Sequence, residues 1–131
     1  MKRIVLLALI LSLLSACLAQ KPLQIFEDPD RIWKLQQLNG TPFSAPATLS
    51  FQKPDQIAGK APCNRYFGTM TATYPAFKVG PINSTRVACA NLRFETAYLR
   101  ALEAATTARA IDNTLILTNA DGLEMAFKST D

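Results

Sequence analysis

From Ile32 onward, apolar and polar residues alternate in short runs broken by turn signals. Ile32-Trp33-Lys34-Leu35 predicts a strand that ends before Asn39-Gly40, a strong turn pair. Thr48-Leu49-Ser50-Phe51 predicts a second strand, with Leu49 and Phe51 on one face. Pro54-Asp55 turns the chain, and Gln56–Lys60 pairs back as a hairpin. Tyr66–Tyr74 reads as another strand with a bulge at Gly68, and Phe77–Val79 as a short one closed by Gly80-Pro81. Near the end, Ala108–Ile111 and Thr114–Thr118 have strand character. A turn at Asn119–Gly122 follows, and a final strand alternates through Leu123, Met125 and Phe127. The inward residues of this last hairpin are predicted to be Leu115, Leu117, Met125 and Phe127.

One segment changes period. Phe94, Ala97, Tyr98, Ala101, Leu102 and Ala105 recur at helical spacing, with Arg93, Thr96, Arg100 and Glu103 on the other side. This predicts an amphipathic helix with Asn91 as N-cap, its apolar stripe packing on a core. Many short antiparallel strands and one helix define the fold class. It is α+β and mainly β, a small curved antiparallel sheet or barrel-like fold packed on one amphipathic helix. Trp33, Phe51, Tyr66, Phe67, Phe77 and Phe127 are core candidates first and ligand platforms second.

The chain opens differently. Lys2 and Arg3 precede Ile4–Leu14, eleven mostly aliphatic residues. That is the span of a secretory signal core and short of the about 20 residues a membrane-crossing helix needs. Leu14-Ser15-Ala16-Cys17 then resembles a lipobox, where cleavage leaves a cysteine that carries fatty chains. The other reading is an ordinary signal cut after Ala19. The expected organisation is a signal peptide over 1–16, a lipidated N-terminus and flexible tether over 17–30, and a folded domain over 31–131. Leu18, rather than Asp, follows the cysteine, which by resemblance to enteric lipoproteins favours the outer membrane, facing the periplasm.

Composition adjusts this picture. Loss of residues 1–16 removes Lys2 and Arg3 and leaves 12 basic against 10 acidic residues, scattered rather than clustered. No run suggests nucleic acid. Arg93 and Arg100 either share a helical face aimed at anionic head groups or lie on an ordinary solvated face. With Cys17 assigned to lipid, Cys63 and Cys89 form an even pair in an oxidising compartment. A disulfide is expected there, and two buried free thiols are the alternative.

Chemistry is sparse. The sequence has no histidine, which removes Ser-His and Cys-His catalysis and the usual zinc sets. The carboxylates are dispersed, and the glycines form no phosphate loop. Neither a catalytic residue, a metal ligand nor a cofactor is expected. Asn64, Arg65, Thr85 and Arg86 are the densest polar signature. They either line a recognition surface, the arginines grasping a carboxylate or phosphate, or serve the fold through turn caps and bonds to local backbone.

These blocks also carry a resemblance. Trp33-x-Leu35-x-x-Leu38-Asn39-Gly40, Thr48–Phe51, Cys63-Asn64-Arg65-Tyr66-Phe67-Gly68, Ser84-Thr85-Arg86-Val87-Ala88-Cys89, Glu95 with Leu102, and Gly122-Leu123-x-Met125-x-Phe127 occur in this order. Together they resemble the META domain family (HslJ-like) over roughly residues 31–128. Pro62 stands where that family usually has Gly, so the local turn differs. The resemblance implies a small, mainly β domain, often secreted or lipid-anchored and linked with heat, envelope stress or drug tolerance. It implies no enzymatic activity. The expected function is a non-enzymatic envelope lipoprotein, held to the membrane by lipid, that binds or shields an envelope component. The alternative is a carrier with a small hydrophobic ligand or lipid inside a barrel cavity.

Overall fold

The computed structural model describes residue 26 and residues 28–130. The signal segment 1–16, Cys17 and most of the stretch read as tether lie outside the described residues.

Nine strands and one helix follow in the described part. They are β1 (Ile32–Leu38), β2 (Thr41–Pro42), β3 (Thr48–Lys53), β4 (Gln56–Lys60), β5 (Arg65–Thr69), β6 (Asn83–Ser84), α1 (Leu92–Ala104), β7 (Thr107–Ile111), β8 (Thr114–Thr118) and β9 (Glu124–Thr130). The strands form one antiparallel sheet in the order β6-β5-β4-β3-β1-β9-β8-β7, with β2 added on β1. The fold is α+β and mainly β, as the alternation predicts, and the sheet does not close into a barrel ladder. Two isolated bridges, Met70 with Val79 and Ala76 with Thr107, lace the stretch after β5 across to β7.

That stretch corrects two expectations. The strand predicted over Tyr66–Tyr74 ends at Thr69, and Phe77–Val79 pairs only through single bridges. Pro75 has no N–H to donate, and Gly80-Pro81 ends any ladder from the other side. Gly68 is not a bulge either, because β4 and β5 pair in unbroken register from Gln56↔Thr69 to Lys60↔Arg65. A Cβ at Gly68 would lie 2.8 Å from Val79 Cγ1, so close packing explains this glycine.

Local chemistry accounts for the other elements. Asn39 and Gly40 have φ of +52° and +75°, the two positive angles of a type I′ turn between paired Leu38 and Thr41. The Asn39 side-chain oxygen also accepts the Glu124 N–H at 3.0 Å, tying this turn to β9. Asn91 sits at the N-cap of α1 but makes no side-chain cap; its carbonyl instead accepts the Phe94 and Glu95 N–H groups.

The core lies between the concave face of the sheet and α1. Trp33, Leu49, Phe51, Ile57, Phe77 and Phe127 are buried from the sheet side, with Tyr98 and Leu102 from the helix. Each large apolar side chain buried this way contributes roughly 1.5–3 kcal/mol. The last hairpin is oriented as predicted, with Leu115, Leu117, Met125 and Phe127 fully buried. Phe67 is not core: it is 52 % exposed, because strict alternation turns its neighbours Tyr66 and Gly68 inward. On α1, Ala97 is exposed and Glu95 takes a buried place instead. The docked part of the chain begins before residue 31, since the Phe26 ring packs 4.4 Å from Phe51 and 4.9 Å from Tyr74.

Candidate functional site

The densest polar signature converges at the bend between β4 and β5. There the Ala61 N–H donates to the Asn64 carbonyl at 2.7 Å and reverses the chain. Cys63 and Cys89 are disulfide-bonded with Cα atoms 5.7 Å apart, which staples the segment before α1 onto this bend. The pairing settles the choice left open by composition, against two free thiols.

Glu95 and Asn64 complete the arrangement. The Cys63 and Asn64 N–H groups donate to Glu95 Oε2 at 2.7 and 2.8 Å. Asn64 Nδ2 donates to Glu95 Oε1 at 2.6 Å and to the Val87 carbonyl at 3.0 Å. Asn64 Oδ1 accepts from Thr85 Oγ1 at 2.9 Å and from the Val87 N–H at 2.7 Å. All four hydrogen-bonding positions of the amide are therefore filled. Thr85 Oγ1 also accepts the Arg65 N–H at 3.2 Å. A buried carboxylate so placed replaces the water that the bend's N–H groups would otherwise need.

Beneath this clamp, the Tyr66 and Tyr98 hydroxyls are hydrogen-bonded to each other at 2.7 Å, and each lies within hydrogen-bonding distance of the Thr48 carbonyl, at 2.7 and 2.9 Å; with one proton apiece, one hydroxyl donates to its neighbour and the other to the carbonyl. Burial pushes both phenols well above their ordinary range. They are neutral props between α1 and the sheet. Gly59 makes room for them: a Cβ there would collide with the Thr48 carbonyl oxygen and lie 2.8 Å from the Tyr66 hydroxyl.

The outer side of the clamp borders an open depression of about 550 Å³, lined among others by Thr48, Lys60, Asn64, Arg65 and Thr85. Of the predicted recognition residues, Asn64, Arg65 and Thr85 meet here; Arg86 is exposed and does not line it. Asn64 and Thr85 are occupied by the fold, whereas Arg65 and Lys60 make no ion pair among the described residues. The role of Glu95 was missed, although it sits in phase with the buried Tyr98 and Leu102 at i, i+3 and i+7. A carboxylate on a core-facing stripe is the signal that finds it. No cluster of metal ligands occurs among the described residues, and none of their helices is long and apolar enough to cross a membrane.

The sequence profile of the META domain family matches residues 23–131. The chain belongs to the META domain family. The match begins upstream of residue 31, in line with the docked Phe26 ring. No curated protein matches the chain. Solved structures similar to this META domain include the NMR structure of a protein from Burkholderia xenovorans. It shares 24 % identity with a TM-score of 0.63, covering 88 % of this chain and 94 % of that one. A second NMR structure shares 22 % identity with a TM-score of 0.60, covering 78 % and 91 % of the two chains. The crystal structure of a DUF4847 family protein from Bacteroides vulgatus shares 14 % identity with a TM-score of 0.62, covering 80 % and 94 %. At these identities the likeness is one of fold.

Proposed function

We propose that this META domain is a lipid-anchored protein of the bacterial envelope that binds or shields an envelope component and performs no catalysis. The carrying observation is how the polar cluster is used. Asn64, Thr85 and Glu95 are committed to backbone and to one another, and the depression beside them offers cations and hydroxyls but no nucleophile–base pair. Such a surface supports recognition over catalysis. The lipobox-like run ending in Cys17 and the Cys63–Cys89 bridge support a site outside the cytosol, and Leu18 in place of Asp after the cysteine favours the outer membrane facing the periplasm. A part in heat, envelope-stress or drug tolerance follows from the family resemblance. The alternative of an apolar guest in a barrel cavity loses support, because the sheet stays open and Tyr98 and Leu102 of α1 fill its concave side.

The test is Cys17→Ser. It should abolish incorporation of labelled palmitate and move the protein from membrane to soluble fractions. Unchanged membrane retention would overturn the anchor. Crosslinking in intact cells, followed by mass spectrometry of trapped partners, identifies the component bound.

A further inference from the structure

We infer that the outer face of the sheet, opposite α1, docks on an anionic phospholipid bilayer through a row of four cations that make no ion pair among the described residues. The inference rests on the envelope placement proposed above, but its evidence is separate. Partner by partner, the register sets Lys128 opposite Lys34, and Lys34 opposite Thr48. Thr48 Oγ1 accepts the Lys60 N–H at 3.0 Å, and Lys60 stands opposite Arg65. The four cations thus lie on one line across β9, β1, β3, β4 and β5, about 19 Å long at the usual spacing of strands.

All four are exposed, and each is flanked in sequence by a buried residue, so they share the outer face. None makes an ion pair among the described residues, where the sole bridge is Arg31 to Asp28. Asp112 borders the depression that Lys128 lines, without pairing to it. Two directly opposed like-charge pairs, Lys34 with Lys128 and Lys60 with Arg65, work against the sheet. A fold gains nothing from them, whereas an anionic surface neutralises all four at once.

Large apolar side chains flank the row. Phe67 follows Arg65 on the same face of β5 and is 52 % exposed. Ile111 stands opposite Thr114, which stands opposite Lys128, and it too is 52 % exposed. A row of cations flanked by protruding apolar groups matches the boundary between head groups and acyl chains better than a soluble polyanion. An anchor at Cys17 would present this face to the bilayer at high local concentration.

The mature acylated chain is reconstituted on vesicles of phosphatidylcholine, or of an equimolar mixture with phosphatidylglycerol. Lysines are then labelled with an amine-reactive reagent and read by mass spectrometry. Labelling of Lys34, Lys60 and Lys128 should fall severalfold on the anionic vesicles and recover in high salt. Lys53, at the far end of β3, and Lys78, in the stretch bridged to Met70 just past the far end of β5, should not change. The double variant Lys34→Gln/Lys128→Gln should lower the ratio of protected to unprotected Lys60 on the anionic vesicles about 25-fold, at about fivefold per cation. Equal labelling on both vesicle types, protection shared by Lys53 and Lys78, or protection untouched by the double variant would each overturn the inference. So would retention on heparin without protection on vesicles. Flotation with phosphatidylcholine alone reports the anchor, so its loss would refute the anchorage while leaving the labelling on anionic vesicles readable.

Discussion

At residue 64 the chain turns an amide inward, where all four of its hydrogen-bonding positions find partners. At residue 65 it turns a guanidinium outward, where no carboxylate of the described residues meets it. The same contrast separates the whole clamp from the whole cation row, although they share β4, β5 and the bend between them. Polar groups that are saturated inside the protein fix its shape. Polar groups left unsaturated on a rigid sheet, against local electrostatic preference, are available to something else. Chemical type does not distinguish the two regions; the state of their partners does.

Four substitutions probe this contrast, in descending order of effect. Glu95→Ala leaves the Cys63 and Asn64 N–H groups and Asn64 Nδ2 without their acceptor. We expect a loss of about 3–5 kcal/mol in urea unfolding. A loss below 1 kcal/mol, by this rough scale, would mean that water replaces the carboxylate and the clamp is not structural. Cys63→Ser should cost about 3 kcal/mol, remove the mobility difference between reduced and non-reduced gels, and expose the segment before α1 to protease. Tyr66→Phe removes one hydroxyl from the group formed by the two tyrosines and the Thr48 carbonyl and should cost about 1 kcal/mol.

The tyrosine pair also sets an alkaline limit. Folded Tyr66 and Tyr98 hold their protons to higher pH than the unfolded chain does. Their contribution is therefore fully present below the ordinary phenol value near 10 and declines as pH rises past it. The slope is at most about 1.4 kcal/mol per pH unit for each phenol, so Tyr66→Phe should roughly halve it. Smallest, and opposite in sign, is Lys34→Ala. It relieves repulsion across β1 and β9 and should raise stability at low salt by a few tenths of a kcal/mol, roughly, with the gain vanishing as salt is added. A clear destabilisation would show that the row serves the fold after all.

Much of the fold was legible because alternation is a direct record of one buried face. The last hairpin is legible residue by residue, since Leu115, Leu117, Met125 and Phe127 alternate without interruption, whereas the helix stripe is legible except for Ala97 and Glu95. The region from Met70 to Gly80 was not, because isolated bridges impose no period on the sequence. β2 and β6, at two residues each, are too short to carry one. Phe67 was misplaced by weighing its hydrophobicity over its parity with Tyr66. The candidate site was half legible. Asn64, Thr85 and the cysteines stood out as blocks, but the carboxylate that joins them lies 31 residues from Asn64. The cation row was invisible for a related reason. Its members are scattered along the chain, and only the register of five strands brings them into line.

The first and last strands of this domain, β1 and β9, lie side by side in the middle of the sheet. A chain threaded through a secretion pore from its amino end would release β1 long before its neighbour arrives. Until the final residues clear the channel, β1 would have β2 and β3 beside it but not β9. For a chain exported in this way, the two ends would have to meet before the centre of the sheet is complete, a demand that a fold with locally paired ends would not make.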